Sequence, residues 1–340
     1  MSHEITFFEN RPQIAVAGDC PWHKLGHHED RTHFESLAEL QEVGGVLCGD
    51  YGIEKIYNSK GIAIPGHRVV AWQPYDTNKP VHYVGTVTDR YKNITVEQIA
   101  DLMTPAQDAG LAKLQTGMLL RNASRVALSY EIELPESLFP DSESRMFVSL
   151  VSDNNGTGSL WPCYSAIRTV CDNTASLNIG QFGQNGLSDV LRKISHKGDV
   201  KSKLEDLQAA LSSVVAGGIE AGKLFRKMAD HEITNDDLKA FMTEMIPLPE
   251  EPGKARTQAE NRRELFRLSY FDSTTENGDK RHTAYRLYNA ATHLVNHQGG
   301  VATRGKDPQD RFEKKLDSLL FGQGDKFMAK ALSLTSALVS

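Results

Sequence analysis

An α+β fold is what the order of hydrophobic periods predicts: a central antiparallel sheet with packed helices, followed by a helical C-terminal region. Three observations carry this. Val126, Leu128, Tyr130, Ile132 and Leu134 alternate with Arg125, Ala127, Ser129, Glu131 and Glu133, the period of a half-buried strand. Asn154-Asn-Gly-Thr-Gly158 joins two further strand candidates and supplies the positive φ of a hairpin. After about residue 185 the period changes: Leu204, Leu207, Leu211, Val214, Gly218, Ala221 and Phe225 recur three and four apart, as on the seam of a long helix.

From the N-terminus, residues 1–45 read as an arm with one short helix candidate, Phe34–Gln41, whose apolar positions share a face. Trp22 and Leu25 look like a packed hook. Residues 46–195 read as the α+β core and residues 196–340 as the helical region. Strands are expected at Gly52–Tyr57, His67–Gln73 and Val81–Thr88. Thr95 with Gln98 forms a capping box that opens a helix to Asp108, with Ile99, Leu102 and Met103 inward. A four-stranded meander follows, Lys113–Leu120, Arg125–Leu134, Arg145–Ser152 and Ser159–Val170, with one wet face expected. Asp172, Asn173 and Thr174 are good N-cap residues, so a helix is expected where that last strand ends. In the helical region Gly217-Gly218 should bend the seam helix, and helices are expected at Asn235–Met245, Gln258–Phe271, Thr283–Asn296, Pro308–Phe321 and Asp325–Leu338. Prolines 247, 249 and 252 mark a connector.

The chain has 340 residues, 39% hydrophobic and 24% charged, enough to bury a core and typical of a soluble globular protein. No apolar run approaches a membrane span and the first residues lack a signal peptide's basic and apolar regions, so a cytoplasmic location is expected. Cys20, Cys48, Cys163 and Cys171 share no repeated spacing, so they are expected as reduced thiols. The net charge of −6 argues against a surface that coats nucleic acid throughout; a local basic groove is compatible with it.

Cations with aromatic company carry the functional reading. Arg90-Tyr91-Lys92, Lys113, Arg121, Arg125, and Tyr164 with Arg168 fall in or beside the expected sheet, and Arg192, Lys193 and Lys197 form a second basic stretch. Bases stack on aromatic rings while cations hold phosphates, so this mixture suits single-stranded nucleic acid. Arg168, before the expected helix N-terminus, would grip a phosphate; its bland alternative is an ion pair with Asp172. Arg256, Arg263 and Arg267 are interleaved with Glu260 and Glu264 and are discounted.

Catalysis and metal binding are weaker readings. Cys20, His23, His27, His28 and His33 lack zinc-ligand spacing. His293 and His297 share a helix face, but Leu294 stands where a metalloprotease helix has glutamate, so a hydrogen-bonded seam with Tyr288 and Asn289 is expected. Cys171 reads as packing rather than as a nucleophile. Gly156-Thr-Gly158 lacks the Gly-Lys-Ser/Thr of a phosphate loop. No catalytic residue, metal or cofactor is therefore expected.

Three elements together, Trp22-His-Lys-Leu-Gly26, Ser165–Ser176 with its Arg-Thr-Val-Cys-Asp-Asn, and Thr283–His297, resemble the phage/plasmid-like family called domain of unknown function 932. Thr169 departs from the family's second valine. The resemblance implies a mobile-element context, with a distant relation of fold to single-strand annealing proteins of the Rad type. The expected function is thus a non-enzymatic, oligomeric single-stranded-DNA-binding and annealing protein of a phage, prophage or plasmid, in recombination or replication. A host replication or recombination protein is a further expected partner. The alternatives are an interaction protein that docks a host factor on the seam helix, and a cytoplasmic enzyme centred on Arg168, Cys171 and the C-terminal histidines.

Overall fold

The computed structural model describes residues 6–9, 11–18, 27–135, 140, 144–168, 173–177, 193–211, 214–271, 281–297 and 323–340; for residues 144, 163–168, 173–177, 214–217, 296, 297, 323 and 325 it describes the backbone alone. In chain order the described elements begin with β1 (Phe7–Phe8), β2 (Arg11–Pro12), β3 (Ile14–Ala17), β4 (His27–Glu29) and α1 (Leu37–Gly44). Next come β5 (Gly49–Tyr57), β6 (Ala63–Pro74), β7 (His82–Thr88), α2 (Val96–Asp101) and α3 (Thr104–Asp108). The meander follows as β8 (Ala112–Leu120), β9 (Arg125–Ile132), β10 (Ser144–Asp153) and β11 (Ser159–Arg168), then β12 (Asn173–Leu177) and β13 (Ile194–Ser195). The helices after them are α4 (Val200–Leu211), α5 (Val214–Asp230), α6 (Asn235–Met245), α7 (Lys254–Phe271), α8 (Ala284–His297) and α9 (Gln323–Ala337). The fold is α+β.

Two compact units share these elements. The first comprises Met1–Glu133, Phe147–Tyr164 and Gly183–Ala216. Its main sheet runs β11-β10-β9-β8-β3-β4, with β13 paired to the start of β11, and a second sheet runs β5-β6-β7. β3 pairs antiparallel with β8 and parallel with β4. Its residues Ile14–Ala17 are wholly buried, so the N-terminal segment supplies an interior strand that the reading of an arm did not include. The available signal was a short apolar run bounded by Pro12 and Gly18.

The first two helices of this unit have a local cause. Ser36 caps α1 by accepting from Glu39 N, so the helix starts later than the expected Phe34, and Phe34 instead bridges to Leu114. Leu40 on α1 packs over Gly117, where a Cβ would lie 2.7 Å from the leucine methyl; only glycine lets the helix approach that closely. The Thr95/Gln98 capping box opens α2, and Ile99, Leu102 and Met103 are buried as expected.

The expected wet face of the meander is overturned at its centre. Val126, Leu128 and Tyr130 are buried, but so are Arg125, Ala127 and Ser129 between them. The polar members find partners across the sheet: Ser129 Oγ lies 2.6 Å from Ser149 Oγ, and Arg125 Nη2 donates to Asp153 Oδ2. Alternating polarity predicted solvent, whereas these side chains found partners inside the protein.

The second unit comprises Leu134–Met146, Ser165–Phe182 and Gly217–Ser340. Within it α8 packs against α7, α9 and β12, and α9 packs against α6. Residues 283–295 are buried throughout, which makes α8 the core element of this unit. Of the expected seam residues, Leu204, Leu207 and Leu211 are buried on α4 in the first unit, and Ala221 and Phe225 on the part of α5 that belongs to the second. Gly217 and Gly218 lie inside α5, which continues to Asp230. Residues 212 and 213, the hook Trp22–Gly26, and the expected helix Pro308–Phe321 lie outside the described residues.

Candidate nucleic-acid interface

The β8–β9 connection is Arg121-Asn122-Ala123-Ser124, and its first three residues have φ of 53°, 50° and 63°. Left-handed backbone costs an L-residue about 1–2 kcal/mol, so three in succession need external support. Three hydrogen bonds supply it: Ala123 N donates to Thr6 Oγ1 at 2.7 Å, Tyr51 OH to Ala123 O at 2.8 Å, and Asn154 N to Ser124 O at 2.7 Å. The last fixes the turn to the end of β10.

That fixation sets an ion cluster. Arg125 Nη2 donates to Asp153 Oδ2 at 2.7 Å, with the two side chains 5% and 7% exposed. Arg121 Nη1 stands 3.8 Å from the same oxygen and is 30% exposed. Two guanidinium groups face one carboxylate, the inner one buried and the outer one partly exposed.

Asn154 extends the cluster to the segment after β7. Tyr91 OH donates to Asn154 Oδ1 at 3.4 Å, and the Tyr91 ring stacks on His196 at 4.9 Å and 11°. Lys92 N donates to His196 O, and His196 Nδ1 lies 3.2 Å from Lys92 O. A carbonyl only accepts, so Nδ1 carries the proton. Burial holds the His196 pKa below its ordinary value, against opposing contributions from Lys92 O and Asp153, so the imidazole is neutral at pH 7. Burial, with Asp153 second, raises the Tyr91 phenol far above the usual range. Tyr91 also forms a bridge with Lys197.

Trp161 on β11 completes the group. The Arg125 guanidinium lies 5.5 Å from its ring centroid and Lys193 Nζ 5.6 Å, both within cation–π range. Lys193 reaches it because the following β13 pairs with β11, Leu160 against Ile194. Trp161 is half-buried and Lys193 exposed.

The β10–β11 hairpin docks on β7. Gly156 has φ 89° and a Cβ there would meet Val87 Cγ1 at 2.7 Å, so the turn needs glycine for conformation and for space.

Of the residues expected to bind nucleic acid, Tyr91, Lys92, Arg121, Arg125, Lys193 and Lys197 thus lie within one connected group in the first unit, with exposed Arg90 beside Tyr91. Two of them need correcting. Arg125 and Tyr91 are internal, because the strand end and the Tyr91–His196 stack bury them; they support the cluster rather than face a phosphate. Lys113 sits at the far end of β8, ion-paired with Glu133 at 2.6 Å. The side chains of Tyr164 and Arg168, and all of Cys171, Asp172 and Arg192, lie outside the described residues.

The helix expected after Arg168 is also corrected: Asn173–Leu177 is strand β12, hydrogen-bonded to β11, whose last residues belong to the second unit with it. Asp, Asn and Thr favour tight turns as well as helix N-caps, so capping chemistry alone could not separate the two. With it goes the helix N-terminus expected to hold an anion. Trp161, Asp153 and His196 were missed. Asp153 stands between the strand candidate Arg145–Ser152 and the hairpin Asn154–Gly158, in neither, and Trp161 stands three residues before Tyr164 in its strand candidate.

In the second unit the C-terminal signature is buried, and His293 is hydrogen-bonded there. Thr283 Oγ1 accepts from Arg286 N at 3.2 Å near the start of α8. Buried Arg286 donates Nε to Tyr270 O at 2.9 Å and lies 5.0 Å over the Tyr270 ring. His293 Nδ1 is 3.1 Å from Ser269 Oγ, and Tyr288 stacks on Phe225. The side chain of His297 lies outside the described residues. Arg256 pairs with Glu260, as its discounting anticipated.

This arrangement is that of an α+β protein with a polar, cation-rich cluster in the sheet-bearing unit. The chain belongs to the family described as Domain of unknown function (DUF932), whose profile matches residues 83–320. The match takes in the Tyr91 segment, the Arg168 motif and α8, and begins after the Trp22 element. No curated protein and no solved structure matches. Among the described residues no helix is long and apolar enough to cross a membrane.

Proposed function

We propose that this chain is a single-stranded-nucleic-acid-binding protein that acts without catalysis, as an oligomer, in annealing for the recombination or replication of a phage, prophage or plasmid. The observation that supports it is that exposed Lys92, Lys193 and Lys197, and partly exposed Arg121, belong to one connected group with half-buried Trp161. Cations beside an aromatic ring match a strand's alternating phosphates and bases. The phage and annealing context comes from the family resemblance.

Fluorescence anisotropy with a labelled single-stranded oligonucleotide, repeated across salt concentrations, tests the reading. Binding should fall with salt, and Arg121→Ala should lower the slope by about one phosphate's worth while leaving the fold intact. Absence of salt-dependent binding would exclude the proposal.

A second reading, a protein that docks a host factor, loses its original surface because the seam residues on α4 and α5 are buried. It draws support instead from the β5–β6 hairpin, which exposes Ile53, Tyr57, Ile62 and Ile64. Recovery of a stoichiometric protein partner, abolished by Tyr57→Ser with Ile62→Ser, would favour it.

A further inference from the structure

Resting on the single-strand reading, we propose that Trp161 is the base-stacking platform of the site, with Arg125 as its positioning residue and Lys193 as the cation that follows the strand. A strand Trp ordinarily earns its burial from apolar neighbours, whereas this one has an arginine and a lysine within cation–π range of its ring. The two cations differ in freedom. Arg125 is 4% exposed and its guanidinium is tied to Asp153, so its place against the indole is set by the strands and not by the surface. Lys193 is exposed, and its ammonium group rests over the ring at 5.6 Å from the centroid.

The face of an indole is electron-rich, which is why a cation rests over it, and planar, polarizable nucleobases stack on such a face. A base that stacks on Trp161 takes the space over the ring that the Lys193 ammonium occupies. The lysine stem then carries its charge to the adjoining phosphate, and the partly exposed Arg121 takes the next. The ligand class is therefore an unpaired nucleobase with its flanking phosphates, read without base identity, since every base has a π-face. A duplex keeps its bases stacked on one another and gains only the phosphate contacts.

The test compares an oligothymidylate with the same oligomer made abasic, on wild-type protein, Trp161→Ala and Trp161→Phe, with circular dichroism as the control of folding. Wild-type protein should bind the abasic strand about 10-fold more weakly. Trp161→Ala should lose about the same factor on oligothymidylate and nothing further on the abasic strand, and Trp161→Phe should keep most of the affinity. Equal binding of both strands by the wild type overturns the platform even if the alanine variant does not fold. So does unchanged oligothymidylate affinity in a folded Trp161→Ala, and in either case salt-dependent binding would leave the proposed function standing. Failure of the wild type to bind either strand removes the function and the platform together.

Discussion

Two ion pairs stand at opposite ends of the β8–β9 hairpin with nearly the same length and opposite surroundings. Lys113–Glu133 measures 2.6 Å with its side chains 40% and 42% exposed; Arg125–Asp153 measures 2.7 Å at 5% and 7%. Distance does not separate them. Exposed partners exchange one hydrated state for another, so their pairing contributes about 0–1 kcal/mol. Buried partners have given up water and depend on each other, so loss of one is expensive even where the pair itself adds little net stability.

Asp153→Ala should therefore produce the largest effect, about 3–5 kcal/mol of destabilisation by chemical denaturation, because Arg125 stays buried without that carboxylate. Replacing the pair together, Arg125→Met with Asp153→Leu, should recover part of this loss. A loss below about 1 kcal/mol in Asp153→Ala would mean that water reaches the cluster, and the contrast between the hairpin ends would collapse.

Asp50 sharpens the comparison as a partly buried carboxylate held by backbone donors. Burial pushes its pKa up to about 6, aided by Glu97 and opposed by hydrogen bonds from Tyr51 N and Val96 N. The unfolded carboxyl titrates near the ordinary value of 3.8, so between about pH 4 and pH 6 the folded state binds more protons. Its contribution is therefore most favourable below pH 4 and is lost as pH rises through 6. Asp50→Asn should raise stability by about 1–2 kcal/mol at pH 7.5, after allowance for its partial exposure, and by little at pH 4. Equal effects at both pH values would show that charge is not the cause.

Ser129→Ala and Ser149→Ala should each cost about 1 kcal/mol, with a double-mutant cycle showing coupling, since their buried hydroxyls pair with each other. Smallest of all should be Glu133→Ala, within about 0.5 kcal/mol and fading with salt. A Glu133→Ala loss comparable to that of Asp153→Ala would break the comparison from its other end.

The candidate site was legible in part. Lys92, Arg121, Lys193 and Lys197 were visible as cations beside aromatic residues, a compositional signal. Trp161, Asp153 and His196 were not, because each owes its place to a partner distant in sequence: His196 is held by Lys92 and stacked on Tyr91, and Trp161 meets Lys193 through the β11–β13 pairing. Arg125 was visible and misread, since its sequence neighbours carry no sign of Asp153.

What the sequence alone determined were the local elements: the alternation that makes β9 a strand, the Thr95 capping box, the Asn-Gly hairpin, and the apolar seam of α4 and α5. These follow from the chain's own periods and caps, which act over a few residues. Tertiary structure decided which strand neighbours which, as in the pairing of β3 between β8 and β4, and made Asn173–Leu177 a strand. It also decided that the polar residues at the centre of β9 would be buried. Burial is a property of what packs against a residue, and a hydroxyl or guanidinium goes inside when a partner on another strand replaces the water it loses.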